Sequence, residues 1–307
     1  MFKMFYILMI SSSILLSDYL GGYQGAGHRY GTNARQISLG NSMLCDANQG
    51  FNAFLNPALL SKTNGLEIGS SYFLMSLDRY VQVLSVSRNL SSFGGASLSY
   101  FESGVSDIYG KDFSNQPTGV FQSKDSYLMF SFGSIVLDRF SVGLNFKAMY
   151  SSIANYNSSG FSGDIGFVYE LSDNISSAIM IKNIFSSNVW DNTNLAESLL
   201  QIKSFGLRFN INNNIKIHSL LENMRPNGLD VYKLKNGIEW NFLKYSLRLG
   251  VIQNSGQFSD QSFDVKILAG FGFDIKLLES NKIRLDYCID FGKENEGISN
   301  LISLSIK

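Results

Sequence analysis

From about residue 65 to the end, polar and apolar residues alternate almost without pause, the period-2 signature of strands with one wet and one apolar face. Turn residues divide this region into strands expected at 66–77, 79–89, 93–104, 125–136, 139–152, 161–171, 174–184, 199–211, 214–223, 231–242, 244–253, 263–276, 282–291 and 298–306. Most reach the roughly 9 to 11 residues that a tilted membrane-crossing strand needs. The connections follow a rhythm, short at 90–92, 137–138, 172–173, 212–213, Leu243 and 277–281, and long at 105–124, 153–160, 185–198, 224–230, 254–262 and 292–297. Tight turns on one side and loops on the other mark a transmembrane barrel. The first connection, near Leu77 and Asp78, departs from this rhythm by being short where a long one is due.

The late strands show what each face is made of. Ile283, Leu285, Tyr287, Ile289 and Phe291 share one side, and Lys282, Arg284, Asp286, Cys288 and Asp290 the other. Tyr245, Leu247, Leu249 and Val251 likewise oppose Ser246, Arg248 and Gly250, and Phe140, Val142, Leu144, Phe146 and Ala148 oppose Ser141, Gly143, Asn145 and Lys147. A packed sandwich could not bury those charges, whereas a barrel with an apolar exterior and a polar lumen accommodates them. Closure also pairs every backbone group, as hydrocarbon demands. The fold expected is all-β, a transmembrane antiparallel β-barrel of about 14 strands. Tyr80, Tyr100, Phe101, Tyr127, Tyr150, Tyr169, Trp240 and Phe242 lie near strand ends, where aromatic girdles form.

Before the strands comes GTNARQISLGNSMLCDANQGFNAFLNPALL, residues 31–60, which carries no strand pattern. It reads as a small N-terminal plug inside the barrel. Residues 1–20 read as a secretory signal, since the apolar run is too short to span a bilayer as a helix. The division expected is therefore 1–20 signal peptide, 21–62 tail and lumen plug, and 63–307 barrel. The glycine-rich stretch 21–31 lacks the preceding strand and Lys-Ser/Thr ending of a phosphate loop, and reads as a flexible tail.

Composition agrees with the strand pattern. Charged residues are 16% and aromatics 13%, with 24 Phe, 15 Tyr and only 3 Pro in 307 residues. A mean hydropathy of +0.02 is too polar for a bundle of membrane helices. Lys+Arg and Asp+Glu are both 25, so no basic excess points to nucleic acid. Cys45 and Cys288 fit no metal or redox spacing and read as unpaired. His28 and His218 are too few for a histidine metal site and read as surface or lumen residues. No catalytic constellation stands out, and neither a metal nor a cofactor is expected.

In their order along the chain, several segments resemble the PorV/PorQ group of outer-membrane proteins, a branch of the FadL-like barrel superfamily. They are Gly31, Ala34, Arg35 and Gly40, then Asn56-Pro57-Ala58, GVSDIYG at 104–110, GLNFKAMY at 143–150, GDIGFVYE at 163–170, NGIEW at 236–240 with LRLG at 247–250, and RLDYCIDFG at 284–292. The resemblance implies a fourteen-stranded plugged barrel in the cell outer membrane. On the PorV side it implies type IX protein secretion or surface attachment, with secretion-system proteins or exported substrates as partners. The alternative, from the FadL side, is passive transport of hydrophobic small molecules.

For the plug, Asn56, Pro57 and Ala58 form either a gate or a simple turn into the first strand. Arg35 is the single charge between Gly31 and Cys45 and, once buried, needs a partner such as Asp164, Glu239 or Asp286. Asn145, Lys147, Asp164, Glu239, Arg248, Arg284 and Asp286 should face the lumen, either lining a solute path or stiffening the interior.

Overall fold

The computed structural model describes residues 23–255, 264–276, 282–292 and 297–307. The segment expected to be a signal lies outside them, as do most of the connections near 254–262, 277–281 and 292–297. The strands are β1 Leu66–Leu74, β2 Arg79–Asn89, β3 Gly95–Lys111, β4 Pro117–Leu137, β5 Phe140–Ile153, β6 Tyr156–Glu170 and β7 Ile175–Trp190. They continue as β8 Ala196–Glu197, β9 Ile202–Asn210, β10 Ile215–Met224, β11 Val231–Phe242, β12 Tyr245–Ser255, β13 Asp264–Lys276, β14 Lys282–Asp290 and β15 Ser299–Ile306. Apart from β8, each pairs antiparallel with the next strand, β7 passing over β8 to β9, and β1 pairs with β15, which closes the sheet. The two-residue β8 hangs on the upper end of β7, so the barrel itself has fourteen strands. No helix among the described residues is long and apolar enough to cross a membrane.

Strand parity decides which side chains enter the lumen. Ser141, Asn145 and Lys147 on β5, Ser246 and Arg248 on β12, and Asp286, Cys288 and Asp290 on β14 are buried. Leu144, Phe146, Leu247, Leu249 and Leu285 between them are exposed. A continuous exterior of large apolar side chains, far beyond what a water-soluble surface tolerates, is what lipid requires.

The expectations for two connections and two aromatic residues need correction. Residues 105–124 are not a long loop: β3 and β4 run on as a two-stranded ribbon, joined only at 112–116, because backbone pairing continues after the alternation of side chains has lapsed. The interval 153–160 is likewise mostly strand. The connection at Leu77 and Asp78 really is tight, with both residues in the left-handed region. Strands β3 to β7 thus form a tall side, and β7 rises eight residues beyond its last pairing with β9, at Lys182↔Ile202. Phe101 and Tyr127 are also no part of a girdle: both have inward parity and are buried, while Tyr150, Tyr169 and Trp240 do face outward.

Residues 31–60 are buried inside the barrel apart from half-buried Asn41, Ala47 and Gln49. They contain α1 Ala34–Ser38, α2 Asn52–Leu55 and a 3-10 helix Pro57–Lys62 that leads into β1. Asn33 starts α1 by accepting from the Gln36 amide at 2.8 Å. The apolar core lies between plug and wall, with Ile37, Phe51 and Phe54 against Phe73, Phe101 and Met129, and Leu39, Leu55 and Leu59 against Val168, Met180 and Leu220.

Candidate functional site: the plugged lumen

In its lower part the plug touches the wall backbone to backbone. Gly95, Gly133, Gly143 and Gly166 pair in register across β3, β4, β5 and β6. A Cβ at these positions would lie 2.2 Å from Leu60 O, 2.1 Å from Pro57 O, 2.2 Å from Pro57 C and 2.0 Å from Asn56 Oδ1. The glycine row is therefore a groove cut into the wall for the 3-10 helix. Asn56 pins the junction: its Oδ1 accepts from the Ala58 amide at 3.0 Å and its Nδ2 donates to Phe167 O at 3.2 Å. Pro57 fills the first helical turn, where its missing N–H costs nothing. Lys62 forms an ion pair with Glu170 at the rim.

Charged side chains hold the opposite face of the plug. Arg35 donates to Glu239 from Nε at 2.9 Å and from Nη2 at 2.7 Å, to Asp46 at 2.7 Å and to Ala47 O at 3.1 Å. Glu239, fully buried, also meets Arg248 at 2.7 Å and Arg284 at 3.6 Å. Asp286 receives Arg248 at 2.8 Å and Arg284 at 3.1 Å. Asp46 takes Arg208 at 3.1 Å and Lys216 at 3.0 Å. Burial alone would raise the Asp46 carboxyl, but Arg35 first and Lys216 next hold it well below the usual carboxylate range. His218 is near enough to Asp46 and Glu239 to suggest a metal triad. Both carboxylates are already neutralised by these guanidinium and ammonium groups, so a divalent cation has no charge left to balance.

The remaining predicted residues form a second cluster, on the tall side. Lys147 donates to Asp164 at 2.7 Å, and Asn145 donates to Asp164 at 3.0 Å and to Ala53 O of the plug at 3.1 Å. Asp164 also accepts from the backbone N–H of Asn183 at 2.9 Å. Asn183 sits in the left-handed region in the middle of β7, where the pairing slips between Gly163/Ile165 on β6 and Phe185/Ile181 on β7. Its Nδ2 donates to Leu200 O at 2.8 Å. Above this bulge β9 no longer accompanies β7, and β8 with the segment 198–201 takes its place.

Two cavities adjoin the bulge. The smaller, about 30 Å³, is lined by Phe54, Tyr127, Met129, Leu199, Leu200 and Ile202 among apolar residues, with Lys147, Asp164 and Asn183. The larger, about 130 Å³, has Met43, Leu44, Leu55, Leu220 and Met224 beside Lys182, Glu222 and Lys235. His28 lines both. It belongs to residues 23–30, which lie folded against β3 and β4 through a 3-10 turn at Gly27–Arg29 rather than trailing as a flexible tail. Nothing in the sequence marks Asp46, Asn183 or Tyr127 as lumen partners, and His28 reads there only as a surface or lumen residue, although the adjacent apolar pair Ile184 and Phe185, both exposed, breaks the alternation where the bulge occurs.

No protein-family model and no curated protein matches the chain. Solved structures do match in fold. The Pseudomonas putida toluene transporter TodX has a TM-score of 0.66 at 12% identity, covering 90% of this chain and 97% of that one. The CymD monoaromatic hydrocarbon channel has 0.63 at 12%, covering 90% and 96%. A Pseudomonas aeruginosa FadL homologue has 0.57 at 10%, covering 90% and 97%. At such identities the likeness concerns the plugged fourteen-stranded barrel and nothing finer.

Proposed function

We propose that this protein is an outer-membrane channel, not an enzyme, that passes hydrophobic small molecules. The observation that carries this reading is the pair of partly apolar cavities between the plug and the β7 bulge, at the one height where β9 leaves β7. The larger cavity, about 130 Å³, approaches the roughly 150 Å³ that holds benzene in an engineered core. Below it the glycine row and the ion network leave the plug no slack, so a solute that enters from above leaves sideways, toward lipid. TodX and CymD, which share the fold, are described as a toluene transporter and a monoaromatic hydrocarbon channel. This agrees with the solute-transport alternative. The protein-export reading rests on motif order, and no family model supports it.

The test is the initial rate of labelled toluene uptake by cells carrying the protein in a lipopolysaccharide outer membrane. Uptake should exceed that of cells without it several-fold and fall when Leu200→Arg places a charge beside the bulge. Equal uptake in all three would overturn the reading.

A further inference from the structure

The tail residue His28 enters a box of aromatic rings. Phe101 and Tyr127 stack with centroids 4.9 Å apart and planes at 11°. The His28 imidazole stands edge-on to both, 4.9 Å from Tyr127 at 87° and 5.7 Å from Phe101 at 86°, and Phe54 tilts against Tyr127 at 6.5 Å. Edge-to-face contact at this spacing is how one aromatic ring holds another. Yet both imidazole nitrogens are buried without a hydrogen-bond partner. Burial, with Lys147 adding to it, pushes the imidazole down to about 3, so the ring is neutral. A side chain chosen for polar bonding would have found a partner here, with Asp164, Asn145 and Asn183 lining the same space. His28 is held as a ring only.

We propose that the box of Phe54, Phe101 and Tyr127 is a binding site for a flat, uncharged aromatic ring, and that His28 occupies it as a built-in stand-in which the ligand displaces. A benzene-class ring makes the same edge and face contacts and buries no polar nitrogen, so exchange is favoured. The imidazole also has somewhere to go, since the larger cavity beside it carries Glu222, whose carboxylate can accept a ring N–H. The tail can make the move. Its 3-10 turn has three residues and no side-chain cap, and Gly25, in the left-handed region, precedes it. Gly27 lies so close to β3 that a Cβ would be 1.9 Å from Ser103 Oγ, which seats the turn with His28 aimed at the box. From Thr32 onward the chain is fixed, with the Thr32 amide and hydroxyl both donating to Gln36 at 3.0 and 3.1 Å.

This rests on the channel reading, and the test separates the two. Crystals of the full chain, grown from detergent as wild type, His28→Ala and His28→Phe, are soaked with iodobenzene and the iodine is located by anomalous scattering. In solution the dissociation constant for fluorobenzene is measured by fluorine NMR against detergent blanks. The expected result is iodine in the space the imidazole vacates, against the stacked pair of Phe101 and Tyr127, in His28→Ala, with fluorobenzene at least tenfold tighter than in wild type, because the self-occupied fraction is removed. His28→Phe should show neither. Tyr127→Leu, which keeps the apolar lining and the tail, should lose the site. Iodine elsewhere in His28→Ala, equal binding by His28→Phe, or undiminished binding by Tyr127→Leu overturns the proposal. Binding in the box without toluene uptake by cells would sink the channel reading alone, and uptake insensitive to His28 and Tyr127 would sink this one alone.

Discussion

Replacing Glu239 by Gln should unsettle the plug more than any other single change of equal size. The shape is kept, but Arg35, Arg248 and Arg284, at 2.7, 2.7 and 3.6 Å from the carboxylate, are left around a neutral amide. Like charges held about 6 Å apart repel by about 3 kcal/mol at an effective dielectric constant near 20. Arg35 keeps Asp46 and Arg248 keeps Asp286, so no cation is stranded outright. The expected loss is about 3 kcal/mol, the size of that repulsion. Arg35→Ala should cost about 2–3 kcal/mol, since Glu239 retains Arg248 and what goes is a set of charge-assisted hydrogen bonds. The double variant Glu239→Gln, Arg35→Ala should cost less than the sum by more than about 1 kcal/mol, because it also removes one of the crowded cations. Thermal unfolding in detergent, followed by loss of β-sheet circular dichroism, gives the three values, and protease cleavage within 31–62 reports whether the plug loosens first. Additive effects, or an Arg35→Ala barrel that melts where the wild type does, would refute plug anchoring by this network.

Other outcomes follow from the same contacts. Gly143→Val drives a side chain into the Pro57 backbone, 2.2 Å from where Cβ would stand, and should cost more than the roughly 1–3 kcal/mol usual for overpacking; protease sensitivity of 31–62 checks it. Asn183→Val puts a β-branched residue in the left-handed region and cuts the bond to Leu200, so the melting temperature should fall by the equivalent of about 1–3 kcal/mol and toluene uptake should change with it. Because the Asp46 carboxyl is lowered in the folded state, its stabilisation is complete above its unfolded value of about 4 and drains away as pH falls below that; wild type should therefore loosen below about pH 4 more steeply than Asp46→Asn in the same protease assay.

The barrel was legible because its two sides meet different solvents. Each strand had to carry its own record of which side was which, and parity read at Lys147, Arg248 or Asp286 needs no knowledge of the neighbours. Where that record stops, at Ser106 or Thr118 beyond the apolar exterior, the ribbon continues by backbone pairing alone and read as loop. The site was legible only in part. All seven lumen residues face inward or nearly so, with Arg284 partly exposed, but parity could not show that Lys147 and Asp164 form one cluster while Glu239, Arg248 and Asp286 form another. Gly133, Gly143 and Gly166 each occupy an inward position on successive strands, a signal present in the sequence, but a glycine in a strand has many explanations until something is seen lying against it. His28 reads as a surface or lumen residue, and nothing in the sequence points to the aromatic rings it meets.

On the proposed channel reading, passage past this plug has two mechanical options, and their costs differ. Withdrawing the plug breaks the Arg35, Asp46 and Glu239 contacts, the Lys62 to Glu170 pair and the Asn56 bond to β6 together, and drags backbone out of a fitted glycine groove. None of these can be lost singly, because one short rigid segment carries them all. Moving residues 23–30 breaks an uncapped three-residue turn, a ring contact whose polar atoms already go unsatisfied, and the polar contacts of Arg29 and Tyr30, among them the Tyr30 hydroxyl to Asp290 at 3.4 Å. Motions are drawn from the least stable part of a fold. On the proposed channel reading the tail is that part, and the fixed plug serves as the floor on which it moves beside the wall bulge.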